Sequence, residues 1–239
     1  MFLLTILIIL ISLLLLLFKR NYDQFVCGLR DKPGYFLWIQ TRVIQLIGWS
    51  SDEHCLRTNH LKSRDDSGYL TDKVIPMRSQ ARPKMLRGIP HRQLSQHAPD
   101  EIMYDMHKHM ESISIPRYSG QTLNDHLILR GTSKLEYTGD DGLFIPNPNA
   151  NTFGQGEFAH IHSNDRSFHM ILHPSDTKLL IEKQWAERFP LAGVNFLYNE
   201  KFPHTYTMIY GPQNKNDFKV WKTILNAAIQ NAQNMNNKL

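Results

Sequence analysis

The first eighteen residues, MFLLTILIILISLLLLLF, carry no charge and only two polar side chains, Thr5 and Ser12, before the run stops at Lys19 and Arg20. A segment this uniformly apolar has no face to offer water, so it is expected to cross a bilayer rather than join a water-soluble core. At 1.5 Å per residue it reaches roughly 27 Å as a helix, enough for a thin bilayer such as that of the endoplasmic reticulum, with Lys19 and Arg20 reaching the headgroups. A cleaved signal peptide is the competing reading. No basic stretch precedes the run and no small-x-small cleavage site follows it, only FKRNYD, which favours an uncleaved anchor. Lys19, Arg20, Arg30 and Lys32 lie just after the span, and the positive-inside bias keeps that side cytosolic. The expected location is therefore a single-pass protein of the endoplasmic reticulum with its C-terminal domain in the cytosol. Two lone cysteines, Cys27 and Cys55, suit that reducing side.

Three regions follow: an anchor at 1–18, a juxtamembrane amphipathic helix with a polar connector at 19–70, and one domain at 71–239, since no Gly/Ser linker or repeat divides the latter. In the connector, YFLWIQTRVIQLIG (35–48) is apolar but interrupted by Gln40, Arg42 and Gln45, and is too short to span. It reads as a helix that lies on the bilayer or packs on the domain. The contiguous Asp52, Glu53, His54 and Cys55 are metal-capable types, yet neighbours in sequence seldom converge on one ion. The net charge of +5 is spread among interleaved acidic and basic residues with no dense stripe, so nucleic acid is not an expected partner.

Within the domain, APDEIMYDMHKHMESI (98–113) has Pro99 and two acids in its first turn and Met103, Met106, Met110 and Ile113 at helical spacing. Residues 132–137 and 143–146 around GDDG read as a hairpin, 157–162 and 168–173 as a second, and 202–212 as a fifth strand. Two further helices are expected from PSDTKLLIEKQWAERF, capped by Ser175 and carrying Trp185, and from NKNDFKVWKTILNAAIQNA, capped by Asn214 or Asn216. The fold class is α+β: a mostly antiparallel sheet with helices packed on one face, preceded by the transmembrane helix.

GEFAHIHSNDRSFHMILHPSD (156–176) contains four of the twelve histidines: His160, His162, His169 and His173. With Asp165 and Arg166 as the central turn residues, His162 would lie opposite His169, and strand alternation would put all four imidazoles on one face. Three readings stay open: an acid/base site, a metal site using His-x-His plus a third ring, or histidines satisfied by backbone carbonyls.

The ordered motifs Ala159 to His162, His169, Trp185 to Gly193 and Tyr210 to Asn214 resemble the A-H-x-H, histidine, G-W-x-x-R-H-P-L-A-G and Y-A-P-R-N elements of the fungal luciferase family. Upstream, TSKLEYTGDDGLFIP resembles its T-S-K-x-E hairpin, Arg82-Pro83 its R-P pair, and the anchor with KRNYDQF its membrane-bound start. The resemblance implies a luciferase-like domain at 71–239 and an oxygenase that uses O2 as co-substrate, with no cofactor and no metal, on a 3-hydroxy styryl-pyrone such as 3-hydroxyhispidin. It implies His160 or His162 as base and His169 as orienting or anion-stabilising partner. Trp185, Arg188 and Glu136 are the implied substrate-binding residues, with His173 of the histidine cluster as a further candidate that the resemblance does not carry; a small aromatic molecule and membrane lipid are the expected partners. Phe189 stands where the family has histidine, Gln184 where it has glycine, and His173-Pro174 resembles non-luminous relatives. The resemblance therefore implies the domain rather than light emission. A membrane-tethered ligand-binding protein and a metal-dependent enzyme using the cluster are the alternatives.

Overall fold

The structure, a computed structural model, describes residues 2–26, 34–61, 67–117, 127–135, 139–148, 153–194 and 202–237. Helix α1 (Phe2–Val26) continues past the apolar run, where Lys19 pairs with Asp23 one turn on at 2.6 Å. Its segment Leu4–Val26 is long and apolar enough to cross a membrane. Helix α2 (Tyr35–Leu46) meets the far end of α1 through aromatic pairs, Phe18 with Trp38 and Tyr22 with Tyr35, both with centroids 4.3 Å apart. The short α3 (Asp52–Cys55) is capped by Ser51, whose Oγ accepts from the His54 N–H. Cys55 is fully buried, and burial pushes its thiol up to about 12.

A small ribbon follows, β1 (Met85–Leu86) antiparallel to β2 (Arg92–Gln93). Then come α4 (Asp100–Ile113), β3 (Ile115–Pro116), β4 (Leu129–Thr132), β5 (Asp141–Phe144), β6 (Glu157–Ile161), β7 (Phe168–Ile171), α5 (Pro174–Glu182), β8 (Ala186–Arg188), β9 (Tyr206–Ile209) and α6 (Lys215–Asn237). Strands β3 to β9 form one sheet in the order β3-β4-β5-β6-β7-β9-β8. Every pairing is antiparallel except β3 with β4, as the α+β reading expects.

One sheet face is apolar. Ala159 and Ile161 of β6, Phe168 and Met170 of β7 and Ile209 of β9 share a buried cluster with residues of α4 and α6. From α4 these are Ile102, Met106 and Met110; from α6, Trp221 among others, with its ring 5.3 Å from that of Phe168. The methionine stripe is thus core, as its helical spacing indicates. Asn214 caps α6, its Oδ1 accepting from the N–H groups of Asn216 and Asp217.

Three local expectations change. The β6–β7 hairpin closes with His162 N–H donating to Ser167 O, so its loop is Ser163 to Arg166, with Arg166 at φ +62, and His160 rather than His162 opposes His169. This slip of two residues preserves the face, because side chains alternate with period two. His173 lies beyond the end of β7 and caps α5, its Nδ1 accepting from Ser175 N–H, with Pro174 at the first helical position. Finally, α5 stops at Glu182. Gln184 adopts φ +64, which redirects the chain, so Trp185 precedes strand β8 instead of sitting in a helix.

Met106 is fully buried in the α4–α6 contact. Met106→Ala is expected to cost about 2 to 5 kcal/mol, read by denaturant unfolding in detergent, because the side chains around it relax only partly into the cavity.

Candidate active site

The opposite sheet face is polar at its centre. His160 and His169 are direct cross-strand partners, and the same row continues through Met208 of β9 to Glu187 of β8. On the other side His160 faces Gly142 of β5. A Cβ at Gly142 would lie 3.2 Å from the Glu157 carboxylate, so glycine leaves room for that group.

Glu157 reaches this face through an irregularity. The β5–β6 register shifts between Leu143 and Phe144, which oppose Ala159 and Glu157. The extra residue, Phe158, packs in the apolar core, and Glu157 and His160, three positions apart, point to one side. Glu157 Oε1 lies 2.7 Å from His160 Nδ1 and accepts from Ser133 Oγ–H at 2.6 Å; Oε2 accepts from Lys134 N–H at 2.6 Å. Those donors are the Ser and Lys of the T-S-K motif.

From His160 the contacts run in series. Its Nε2 lies 3.2 Å from His169 Nδ1, and His169 Nε2 lies 3.2 Å from Nδ1 of His91, which directly precedes β2. His91 Nε2 is 2.9 Å from Glu187 Oε1. Arg87 grips Glu187 with two N–H groups, Nε to Oε1 at 2.8 Å and Nη2 to Oε2 at 2.7 Å, and the Tyr210 hydroxyl donates to Oε2 at 3.1 Å. Both carboxylates and all three imidazoles are at most 2% exposed.

Burial alone would raise the Glu187 carboxyl, but hydrogen bonds from Arg87 and His91 outweigh it and hold it at about 2. Burial pushes His91 below its ordinary value, against the pull of Glu187. The two shifts agree on one state: a neutral His91 whose Nε2–H donates to an ionised Glu187, leaving Nδ1 to accept from His169 Nε2–H. At the other end Glu157 Oε1 lies 2.7 Å from His160 Nδ1, so the chain Glu157–His160–His169–His91–Glu187 is continuous through four contacts. The contact of His160 Nε2 with His169 Nδ1, at 3.2 Å, has the geometry that an acid/base pair requires.

Beside it, His162 Nδ1 is 2.8 Å from Ser167 Oγ and 3.3 Å from Asp165 Oδ1, while its Nε2 is 3.3 Å from Nη1 of the buried Arg92. Burial opposes ionisation of Asp165, yet the charge and hydrogen bond of His162, with Arg92 and Ser167, hold its carboxyl well below the usual range. Aromatic rings border the row. Tyr206 stacks on His169 with centroids 4.7 Å apart, and Phe189 lies 5.8 Å from both His91 and His169.

A metal ion is the other arrangement that three rings permit, since one nitrogen from each of His160, His162 and His169 falls within 4.8 Å of the others. The Arg92 guanidinium against His162 Nε2 sets a positive charge beside that group, where a cation would be repelled. Elemental analysis of gently purified protein is expected to find neither zinc nor iron in stoichiometric amount.

Of the residues singled out in the sequence, His160, His162 and His169 converge. His173 does not join them. Trp185 lies in the apolar core with its Nε1–H donating to Pro76 O, and Arg188 holds the carbonyls of Ala192 and His204. By strand alternation Arg188 points away from the face of Glu187. Glu136 lies outside the described residues. His91, Arg92, Glu157, Asp165 and Glu187 were not singled out. The E-x-x-H spacing of Glu157 and His160 was the one available hint, and strand periodicity argued against it.

The Glu187 pKa falls from 4.5 to about 2 on folding, so its stabilising contribution is complete above pH 4.5 and disappears as pH drops towards 2. Glu187→Gln is expected to flatten that part of the stability profile, measured as unfolding free energy against pH.

Residues 155–228, which include β6, β7 and most of α6, match the Luciferase domain family. The chain is 27% identical over 167 residues to the luciferase of Neonothopanus nambi and 29% identical over 168 residues to those of Armillaria mellea and Armillaria gallica. These matches cover 65% of this chain and 60% of each relative, so the chain spans less than two thirds of the length of those proteins. No solved structure matches significantly. With the motif order and the histidine-bearing sheet in agreement with these matches, residues 155–228 carry a luciferase-type domain and the chain is similar to the fungal luciferases.

Proposed function

We propose that the protein is a membrane-anchored, cofactor-independent oxygenase acting on a hydroxy-pyrone or a related enolisable aromatic substrate, with O2 as co-substrate. The observation that carries this reading is the buried series of three imidazoles between two carboxylates, within hydrogen-bond reach of one another. The His160–His169 pair removes the enolic proton, and the resulting electron-rich anion reacts with O2 without a metal or flavin to activate it. For a pyrone the bridged peroxide formed then loses CO2. Arg92, paired with His162, supplies positive charge for the substrate oxyanion, where a low-dielectric setting strengthens it. Phe189 and Tyr206 offer rings for an aromatic substrate to stack on. Helix α1 holds the domain at the membrane of the endoplasmic reticulum, facing the cytosol.

A second reading, a tethered binding protein without turnover, draws on Phe189, which packs against His91, His169, Phe202 and Tyr206 where the family pattern has an imidazole. Native mass spectrometry that shows a retained aromatic ligand, with no oxygen uptake on any pyrone, would favour it.

Purified full-length protein given 3-hydroxyhispidin is expected to consume oxygen and substrate together. His169→Ala is expected to lower that turnover by about 10²- to 10⁴-fold, the usual weight of a general base, with the near-ultraviolet circular dichroism of the core retained. Undiminished turnover in His160→Ala and His169→Ala alike would place the base elsewhere.

A further inference from the structure

Helix α2 presents two unlike faces. Thr41 and Ile44 are buried against the domain and Trp38 against α1, while Phe36, Ile39, Val43, Leu46 and Ile47 form an exposed apolar stripe at helical spacing. Leu46 is 85% exposed and Phe36 70%. Such a stripe is costly in water and is what an interfacial helix inserts among lipid headgroups. Its position names the occupant. Tyr35 and Trp38 pack on Phe18 and Tyr22 at the end of α1 that carries Lys19 and Arg20, which is the level where a spanning helix leaves the bilayer. The stripe therefore begins beside the membrane surface and is continuous with the lipid-facing surface of α1.

The buried face of the same helix reaches the catalytic row. Thr41 Oγ1 donates to Ile89 O at 3.0 Å and accepts from Ile89 N–H at 2.9 Å, fixing the segment that leads into His91. Gly88 lies so close beneath it that a Cβ there would come 2.2 Å from Thr41 Cγ2. Ile44 belongs to the satellite cluster that contains Phe189 and Tyr206, the rings beside His91 and His169.

We infer that α2 is a second membrane contact, an interfacial helix whose apolar stripe lies in the headgroup region of the bilayer that α1 crosses. It seats the histidine face of the sheet at the lipid surface, where an apolar aromatic substrate is concentrated. The inference rests on α1 being the anchor, and the test reads the two helices separately.

Full-length protein is reconstituted into phosphatidylcholine–phosphatidylserine vesicles with an environment-sensitive NBD label at Leu10→Cys in α1, Leu46→Cys in α2, or Tyr104→Cys on the exposed face of α4, in a background lacking Cys27 and Cys55. The expected result is blue-shifted emission at Leu10 and Leu46 but not Tyr104. Nitroxide lipids labelled near the headgroup should quench position 46, and those labelled deep in the acyl chain position 10. Water-like emission at position 46 with a lipid-quenched position 10 would overturn the α2 contact while leaving the anchor intact. A blue shift at 46 without lipid quenching would assign the stripe to another protein surface, such as a second copy of this chain. Water-like emission at position 10 would overturn anchor and inference together. A further arm, Phe36→Glu with Leu46→Glu, is expected to abolish the lipid quenching reported from position 39 as Ile39→Cys; unchanged quenching would also overturn the proposal.

Discussion

The sheet is organised around the cost of burying two carboxylates. An ionised carboxylate in a low-dielectric interior is tolerated only when it is fully hydrogen-bonded and its charge is offset. Glu187 meets this condition with Arg87, Tyr210 and His91, and Glu157 with Ser133, Lys134 N–H and His160. These requirements draw together segments remote in sequence: the β1–β2 ribbon, the end of β4, the β6–β7 hairpin and the edge strand β8. The same pairings bring His160 Nε2 to 3.2 Å from His169 Nδ1. Stability and the proposed chemistry therefore share a single set of contacts.

The two faces of the sheet divide the labour. On one, α4 and α6 pack methionine, isoleucine and tryptophan against β6, β7 and β9, which fixes the strands and hence the spacing of His160 from His169. On the other, the polar row is covered by the segment before β2, by Phe189 and by α2. A hydrophobic core alone would hold the strands. It would not specify the tautomers of three imidazoles, which depend on carboxylates at both ends.

Sequence reasoning reached what periodicity and capping encode. Helix α4 follows its methionine spacing, α6 its Asn214 cap, and the β6–β7 hairpin its alternation. Strand β8 escaped because Trp185 to Arg188 continues the helical pattern of α5, and the break depends on one left-handed residue, Gln184, which is not glycine. His91 lies in RGIPHRQ, a stretch with no periodicity to place it, and becomes part of the row only through tertiary contact. Glu187 and Glu157 carry no mark of burial in the sequence, because charged side chains are ordinarily on the surface. The two-residue difference in hairpin register was harmless for the reason that makes strands legible at all: even shifts keep a side chain on its face.

The irregularity at Phe158 has a further meaning for how such a site can vary. A regular strand couples every side chain to its neighbours, so no single residue can be turned without turning all beyond it. By absorbing one residue between Glu157 and His160, β6 uncouples the carboxylate from the imidazole ladder. Point changes in the rings leave this phase difference untouched, whereas gain of one residue in Phe158-Ala159, with no second irregularity to absorb it, would send Glu157 and His160 to opposite sides of the sheet. The spacing within E-F-A-H is thus a phase marker, which substitution can drift around but a single insertion erases.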